Sequence, residues 1–267
     1  MTGSESDGGT GTEAENEAGI PADHPRYESL VTRHRIEAGV EAGITSHQGL
    51  IAEGRGEAFD YLLGEETIES AARAERVAAA YLLGADWPVL SINGNAAALC
   101  PDELVALAAV TGAKLEVNLF DRTAERVERI AAHLREHGAE EVLGIEPAER
   151  IPGLSSERGK VAAEGIYAAD VVLVPIEDGD RAEALAAMGK TEIVIDLNPL
   201  SRSPRSAAVP VIDDVLRAIP NIANYARELS ETSPAELDDL IENFDREAAL
   251  EAAEKRIRTG ESSDEAD

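Results

Sequence analysis

Apolar and polar residues recur along the chain with spacings typical of both helices and strands. Helical spacing is clear from about Arg26 to Ala42 and from about Thr67 to Leu83, where Gly84 is placed to end the second helix. The best-defined helix carries its apolar residues at i, i+3, i+4 and i+7: Val127, Ile130, Ala131 and Leu134. These segments are predicted to be helices that each bury one face.

Six short apolar runs follow the second helical segment, each with the length of a buried strand. They are Val89–Ile92, Lys114–Phe120, Glu141–Ile145, Val171–Pro175, Glu192–Leu197 and Val209–Ile212. Helical patterns lie between most of them, and strands that alternate with helices form a mostly parallel sheet with helices on both faces. The pattern therefore predicts an α/β fold, with further helical segments at the N- and C-terminal ends.

Two helices are predicted near the C-terminal end. One runs from about Asp214 to Leu229, and the other begins at Ser233, an N-cap residue followed by Pro234 and, at the third helical position, Glu236. The apolar stripe of this second helix comprises Leu237, Leu240, Ile241, Phe244 and Ala248. The stripe needs a partner, which is either the sheet domain or a second subunit.

The two ends of the chain and one internal stretch have a different composition. Residues 1–20 and 259–267 are rich in Gly, Ser, Thr and acidic residues, so we expect disordered acidic tails around a single α/β domain at 21–258. The stretch from Gly49 to Glu65 is interrupted by glycines. We expect a loop at Gly54-Arg55-Gly56, where the flanking glycines let a ligand approach the backbone.

The balance of charged residues indicates the salt environment of the protein and the partners that it can bind. The 267 residues include 53 Asp and Glu against 24 Lys and Arg, which gives a net charge of −29. At about 1 M salt the Debye length falls to ~3 Å and the self-repulsion of such a chain is screened. We therefore expect a halophile-like source, and we expect neither nucleic acid nor an anionic membrane as a partner.

Three absences in the sequence point to a cytoplasmic protein. The single cysteine, Cys100, excludes an internal disulfide and a cysteine cluster for zinc. No apolar run approaches the ~20 residues of a membrane span, and the N-terminal segment lacks the regions of a signal peptide. The histidines match no metal-ligand spacing or nucleophile motif, so no covalent catalysis is expected.

Two phosphate-binding motifs are approached but not matched. Gly189-Lys190-Thr191 has the last residues of a P-loop, but Ala184 occupies the position of its first glycine and the motif precedes a predicted strand instead of following one. Gly94-Asn95-Ala96, after the first strand, lacks the second glycine of the dinucleotide fingerprint. A nicotinamide-dependent dehydrogenase is therefore not expected.

Polar residues cluster where four of the predicted strands end. These clusters are Ser91–Asn95, Asn118, Pro175–Arg181 and Asp196–Ser203. Each taken alone is equally well a plain turn. Four on one edge of a parallel sheet favour a ligand site, because open α/β sheets bind ligands at the carboxyl ends of their strands. Asn93, Asn95 and Asn118 are the candidates for substrate contact.

The residue types within these clusters suit a nucleotide. Asp196 and Asn198 match ribose hydroxyls or a base edge, and Ser201–Ser203 offer two hydroxyls and the Arg202 guanidinium to a phosphate. Glu177, Asp178 and Asp180 are oxygen ligands of the kind Mg²⁺ prefers. The alternative for this acidic group is an ordinary surface loop in which Asp180 caps a helix.

Arginines add a second line of evidence for an anion site. Arg26 and Arg33 lie seven residues apart on one predicted helix face, and Arg55 lies between two glycines. The alternative for these arginines is an ion pair with one of the many carboxylates.

Seven collinear stretches between about residues 20 and 230 resemble one family, archaeal phosphopantothenate synthetase, also called 4-phosphopantoate–β-alanine ligase. They are HPRYESL from His24, GLIAEGRGEAFDYLLGE from Gly49, SINGNAAAL from Ser91, AKLEVNLF from Ala113, RIPGLSSERGKV from Arg150, ADVVLVPIEDGDRAEAL from Ala169 and IDLNPLSRS from Ile195. The resemblance implies a Rossmann-like fold, a homodimer, and the joining of 4-phosphopantoate to β-alanine with ATP and Mg²⁺, in coenzyme A biosynthesis. The products are 4′-phosphopantothenate, AMP and diphosphate.

The resemblance also implies site residues. Its ATP contacts fall on Arg33, Arg55, Asp196, Leu197, Asn198, Arg202, Ser203, Asp214 and Val215, with Arg55 and Arg202 also expected in catalysis. The sequence departs from the family at two of its positions: Asp214 stands where Asn is usual, and Glu53 stands where His is common. Release of AMP implies an acyl-adenylate, whose formation places charge on phosphate oxygens that Arg and Mg²⁺ stabilise.

Two alternatives stay open at this point, and the first belongs to a different class of protein. One is a nucleotide-binding regulatory protein that has this fold without catalysis. The other is a different acid–amine ligase with the same ATP site and another acyl pocket.

Overall fold

The structure is a computed structural model that describes residues 19–21, 23–176 and 179–260. Of the tails predicted for residues 1–20 and 259–267, residues 1–18 and 261–267 lie outside the described ranges, whereas Ile20 is buried and Thr259 is the last residue of the final helix. The helices of the described part are α1 (Tyr27–Glu41), α2 (His47–Leu63), α3 (Glu69–Gly84), α4 (Gly94–Leu99), α5 (Pro101–Thr111), α6 (Ala124–Glu136), α7 (Gly179–Ala187), α8 (Arg202–Ser206), α9 (Val215–Leu229), α10 (Pro234–Glu242) and α11 (Arg246–Thr259). The strands are β1 (Pro88–Ile92), β2 (Lys114–Val117), β3 (Val142–Leu143), β4 (Glu149–Arg150), β5 (Lys160–Val161), β6 (Val171–Pro175), β7 (Thr191–Ile195) and β8 (Val209–Val211).

All six predicted strands are present in one sheet. Its order is β3-β2-β1-β6-β7-β8, and every neighbouring pair is parallel. Helices cover both faces, so the expected Rossmann-like α/β fold with N- and C-terminal helices is confirmed. The short antiparallel pair β4–β5 was not predicted, and it encloses a 3₁₀ turn at Glu157–Gly159.

Alternate residues of the strands belong to two cores. Leu90 and Ile92 of β1 pack in the larger core with α3, α5 and α9. Val89 packs in a smaller core that also contains Val172 of β6, Leu185 of α7 and residues of the β4–β5 segment. All five residues of β1 are buried, as expected for a central strand covered on both faces.

The stretch from Gly49 to Glu65 is a helix and not a glycine-rich loop. Helix α2 begins where the Ser46 side chain accepts from the Gly49 N–H and ends at Gly64, whose φ of 108° closes a left-handed cap. Each interior glycine costs about 1 kcal/mol relative to alanine. Burial of Leu63 and Phe59 against α11 offsets this cost, and these side chains form a third, small core with Leu250.

The final predicted helix is two helices. The Ser233–Glu236 capping box begins α10 as expected. The helix is interrupted at 243–245, and Asp245 then caps α11 by accepting from the Ala248 N–H. The apolar stripe of α10 packs against the larger core, so its partner is the same chain. Within the described ranges, no helix combines the length and apolar character that crossing a membrane requires.

Candidate functional site

Because the six strands are parallel, their carboxyl ends form one edge, and three cavities open along it. The β7–β8 cavity, of about 380 Å³, lies where those two strands end against α2. The β1–β2 cavity, of about 310 Å³, lies beside the start of α4. The α1–α2 cavity, of about 580 Å³, adjoins the first of these and shares Glu53 and Asp214 with it.

The β7–β8 cavity gathers most of the residues expected to contact ATP. They are Arg55, Asp196, Leu197, Asn198, Arg202, Ser203, Asp214 and Val215. Asp196 follows β7 and its N–H donates to the Val211 carbonyl at 3.0 Å, which extends the sheet by one residue. This bond fixes where the loop after β7 leaves the sheet.

Asp196 also organises the loop that it begins. Its carboxylate accepts from the Asn198 N–H at 3.0 Å and from the Ser201 hydroxyl at 2.9 Å. Burial raises the pKa of Asp196 above its ordinary value. The polar atoms of Asp196 and Asn198 are thus held in place at the wall of the cavity.

Arg55 lies in the middle of α2, with its side chain exposed on the wall that the β7–β8 and β1–β2 cavities share. Its guanidinium has no hydrogen-bond partner among the described residues, which suits a group that binds a ligand. Gly56 serves packing: a Cβ there would lie 3.2 Å from the Leu197 Cδ1. The glycine therefore lets α2 approach the loop after β7 closely.

Arg202 begins α8 and is two-thirds exposed. It donates to the Asp180 carboxylate at 2.7 Å and lies 3.7 Å from that of Glu183, both on α7. Asp180 is therefore within α7 as an ion-pair partner and is not its N-cap. The other two carboxylates predicted to bind Mg²⁺, Glu177 and Asp178, lie outside the described residues.

Asp214 and Glu53 bring negative charge to the opposite wall. Asp214 caps α9 by accepting from the Leu216 N–H at 2.8 Å, and burial raises its pKa to about 6. Burial, together with the negative charge of Asp214, raises the pKa of Glu53 to about 7. The two positions at which the sequence departs from the family pattern therefore act on each other.

Arg33 does not line the β7–β8 cavity, where the other expected ATP contacts lie. It lines the α1–α2 cavity and donates to the Glu57 carboxylate at 2.7 Å. The alternative to an anion site, an ion pair with a carboxylate, is therefore present at Arg33. The contact between Arg33 and ATP stays a prediction.

The β1–β2 cavity holds two of the three asparagines. Asn93 caps α4 and donates to the Pro175 carbonyl at 2.8 Å, whereas Asn95 donates to the Gly49 carbonyl at 2.9 Å and to Glu53 at 3.2 Å. Asn118 is buried outside the cavity, where its amide donates to the carbonyls of Arg158 and Lys160 at 3.1 Å. Asn118 therefore supports the segment that carries Arg158.

The β1–β2 cavity also contains two arginines that the sequence analysis did not identify. Arg126 of α6 donates to the Ile44 and Asp121 carbonyls at 2.8 and 2.9 Å. Arg158 is only 5% exposed, and its Nε lies 3.3 Å from the Asn118 side-chain oxygen. The sequence could have indicated Arg158 only through the family resemblance, because this residue lies in one of the matching stretches. No feature of the sequence indicated Arg126.

The near-match to a P-loop has a structural role. Lys190 precedes β7, and its ammonium donates to the carbonyls of Tyr167 and Ala169 at 2.8 and 2.6 Å. This lysine ties the segment before β6 to the start of β7, at the edge opposite the cavities.

Comparisons with known proteins agree on one family. The profile of the family described as phosphopantothenate/pantothenate synthetase matches residues 70–260. The 4-phosphopantoate–β-alanine ligase of Methanosarcina mazei is 54% identical over 239 residues, which cover 90% of this chain and 94% of that protein. Enzymes of the same name from Thermococcus onnurineus and Thermococcus kodakarensis are 55% and 54% identical over 240 residues, 90% of this chain and 92% of each relative.

Proposed function

This chain belongs to the phosphopantothenate/pantothenate synthetase family, and we propose on that premise that it joins 4-phosphopantoate to β-alanine with ATP. It is an amide-forming ligase that makes 4′-phosphopantothenate in coenzyme A biosynthesis. AMP and diphosphate are the other products. The observation that carries the proposal is the pair of cavities of different charge that meet at Arg55.

The nucleotide is assigned to the β7–β8 cavity. A carboxylate accepts hydrogen bonds from ribose hydroxyls, and Asp196 is fixed for this by its contacts with Asn198 and Ser201. Arg202 and the Ser203 segment meet the phosphates, for which a planar guanidinium is well suited. A bound nucleotide phosphate would replace the Asp180 carboxylate as the partner of the Arg202 guanidinium.

A Mg²⁺ ion at the phosphate end of this cavity would rely mainly on oxygen atoms of the nucleotide, because the described residues hold no cluster of three or more metal-ligating side chains. Magnesium is usually bound by one or two carboxylates together with substrate phosphates, and Asp180 beside Arg202 is the described carboxylate that we assign to it. When bound, the ion supplies neutralisation of the triphosphate charge. The remaining steps are carried by residues of this chain.

The phosphorylated acid is assigned to the β1–β2 cavity. Arg126 and Arg158 provide two guanidinium groups for its phosphate, in a chain whose net charge is −29. Asn93 and Asn95 lie on the same wall for the hydroxyl of the acid. The acid carboxylate then points to Arg55, where the two cavities meet.

The reaction follows from this placement. A carboxylate oxygen attacks the α-phosphorus, the P–O bond to diphosphate breaks, and Arg55 stabilises the charge that develops on the phosphate oxygens. The free amine of β-alanine next attacks the acyl carbon, a C–N bond forms, and AMP leaves with the electron pair of the C–O bond. No enzyme nucleophile is required, and Cys100 is buried in the larger core.

The test is product analysis by mass spectrometry. We expect diphosphate release that depends on 4-phosphopantoate, and amide formation that depends on β-alanine. Pantoate and a series of other amines serve as controls. Nucleotide binding without acid-dependent diphosphate release would favour the regulatory protein, and a better acid substrate would favour another ligase.

Two further proposals concern the setting of the enzyme. The net charge of −29 supports a halophile-like source, and use of ATP supports a cytoplasmic location. We expect thermal stability, followed by circular dichroism, to rise with KCl. Equal stability at about 0.1 M and about 2 M KCl would contradict the salt adaptation.

We also propose a homodimer of chains that each fold as one domain over 21–258. Exposed apolar side chains on α2 support an interface: Ile51, Tyr61 and Leu62. Light scattering measures the mass, and a monomer at micromolar concentration would contradict the dimer. A single cooperative thermal transition is expected for one domain.

A further inference from the structure

Ile176, the first residue after β6, has a backbone conformation that is unusual for its type. Its φ is 51°, and among the described residues the only other non-glycine with positive φ is Glu65. A left-handed conformation is strained for an L-residue, and for a β-branched side chain it is an outlier. Such conformations persist where the surrounding structure fixes them, and they cluster at functional sites.

Both cavities contribute to holding Ile176 in this conformation. Its N–H donates to the Ile195 carbonyl at 2.9 Å, on the side of the β7–β8 cavity. Its carbonyl accepts from the Arg158 Nη1 at 3.4 Å, on the side of the β1–β2 cavity. The preceding carbonyl, of Pro175, accepts from the Asn93 amide at 2.8 Å.

The conformation changes where the side chain goes. Val172 and Val174 of β6 point into the smaller core, and the two-residue period of a strand would place Ile176 on that face next. Ile176 is instead 36% exposed and lines both the β7–β8 and the β1–β2 cavities. The strain thus moves an apolar, branched side chain from the core to the meeting point of two polar cavities.

Arg55 lines the same meeting point, which is where the acyl-adenylate forms if the proposed function is correct. That intermediate reacts with either of two nucleophiles. Attack by the amine of β-alanine forms the C–N bond and releases AMP, whereas attack by water forms a C–O bond, releases AMP and regenerates the acid. An apolar side chain at this point lowers the access of water to the acyl carbon. It does not remove the positive charge with which Arg55 stabilises the phosphate oxygens.

We propose that Ile176 excludes water from the acyl-adenylate and so couples ATP use to amide formation. This inference rests on the proposed function, and it concerns a residue to which we assign no contact with 4-phosphopantoate, β-alanine or ATP. The backbone strain is what places the side chain there, because an unstrained residue would continue β6 into the smaller core.

The test measures AMP formed per amide formed in three variants at the same position. Ile176→Val keeps the branched side chain and is expected to stay near one AMP per amide. Ile176→Ala removes most of the side chain, and Ile176→Gly removes all of it and also relieves the strain. For both we expect AMP release without β-alanine to rise about tenfold, and the ratio of AMP to amide to rise above one.

A matched control is Ile145→Ala, which shortens a partly buried isoleucine after β3 that lines none of the three cavities. Its ratio is expected to stay at one. If the conformation of Ile176 were only a turn, Ile176→Gly would be at least as stable as the wild type and just as tightly coupled. A ratio of one in both the Ala and the Gly variants would overturn the proposal.

The wild-type protein separates the two levels of inference. If it forms no AMP with 4-phosphopantoate, the proposed function and the role of Ile176 fall together. If it is tightly coupled and the Ala and Gly variants are too, only the role of Ile176 falls.

Discussion

The β7–β8 and β1–β2 cavities lie on one edge of one sheet, yet they carry opposite charge. Four carboxylates outnumber two arginines in the first, where Glu53, Asp196, Asp213 and Asp214 lie with Arg55 and Arg202. Three arginines outnumber one carboxylate in the second, where Arg55, Arg126 and Arg158 lie with Asp121. Under the proposed function, this difference would sort two phosphorylated substrates: we propose that the basic cavity takes the phosphate of the acid and that the acidic cavity takes the ribose hydroxyls of ATP.

Removing the arginine that lines both cavities should have the largest effect. We expect Arg55→Ala to lower kcat by about 10²- to 10³-fold, as loss of one transition-state donor commonly does. The fold should persist, because the guanidinium has no hydrogen-bond partner among the described residues. Steady-state kinetics with each substrate and a thermal melt check this.

The control for Arg55 is Arg258→Ala, which removes an exposed arginine that pairs with Glu254 on α11. If kcat/KM for Arg55→Ala stays within about threefold of wild type, a loss under ~0.7 kcal/mol, Arg55 is not a transition-state ligand.

The next largest effect should come from the basic cavity alone. Arg158→Gln is expected to raise KM for 4-phosphopantoate by about 10- to 100-fold, since a hydrogen bond to a charged group contributes ~1.5–3 kcal/mol. KM for ATP should change little, and Arg158→Lys should recover part of the loss. Because Arg158 is buried, melting temperatures must be compared. An equal rise in both KM values would remove the distinction between the cavities.

A smaller effect is expected at the phosphate end of the acidic cavity. Arg202 is two-thirds exposed and already paired with Asp180, so Arg202→Ala should raise KM for ATP by about tenfold, and Arg202→Lys by less. KM for 4-phosphopantoate should stay unchanged. A lower melting temperature with unchanged ATP kinetics would show that Arg202 forms only a surface ion pair.

The smallest effect is a pH dependence confined to the acidic cavity. The pKa of Glu53 is about 7, so between pH 6 and pH 8 this wall gains negative charge beside Asp214, and KM for ATP should rise about threefold. Glu53→Gln should flatten that rise. A pH profile that is identical in wild type and variant would assign the dependence elsewhere.

The free energy of unfolding should also depend on the titration of Glu53, and it should fall as the pH rises. A carboxyl whose pKa is raised in the folded state binds its proton more tightly there than in the unfolded chain. Its contribution is therefore complete below the unfolded pKa of about 4.3, and it is lost as the pH rises through about 7. The melting temperatures of wild type and Glu53→Gln should therefore agree at low pH, diverge between about pH 4.3 and about pH 7, and stay apart above that.

The sequence predicted where the segment after β7 lies because its residues are close together in the chain. Asp196, Asn198 and Arg202 follow a single strand, and the strand pattern alone places them at the edge of the sheet. The basic cavity combines separate segments, and nothing local marks Arg126 on an ordinary amphipathic helix. Such a site depends on tertiary contacts that periodicity does not encode.

The errors in the predicted elements have similar causes. Glycines between residues 49 and 64 indicated a loop, but packing of α2 against the loop after β7 and against α11 outweighs their low helix propensity. The apolar stripe from Leu237 to Ala248 indicated one helix, but the Asp245 cap starts a new one. The six strands were predicted correctly because continuous apolar runs of that length leave little alternative.

The contact between α2 and α11 can form only late in synthesis of the chain, because α11 is translated long after α2. Arg256 donates to the Leu63 carbonyl across 193 residues of sequence, and Leu250 packs beside Leu63 and Leu197. A ribosome that adds 5–20 residues per second needs roughly 10 to 40 s to travel that distance. During this interval the helix that carries Arg55 has no cover on one apolar face, so a newly made chain is most open to aggregation just before α11 emerges.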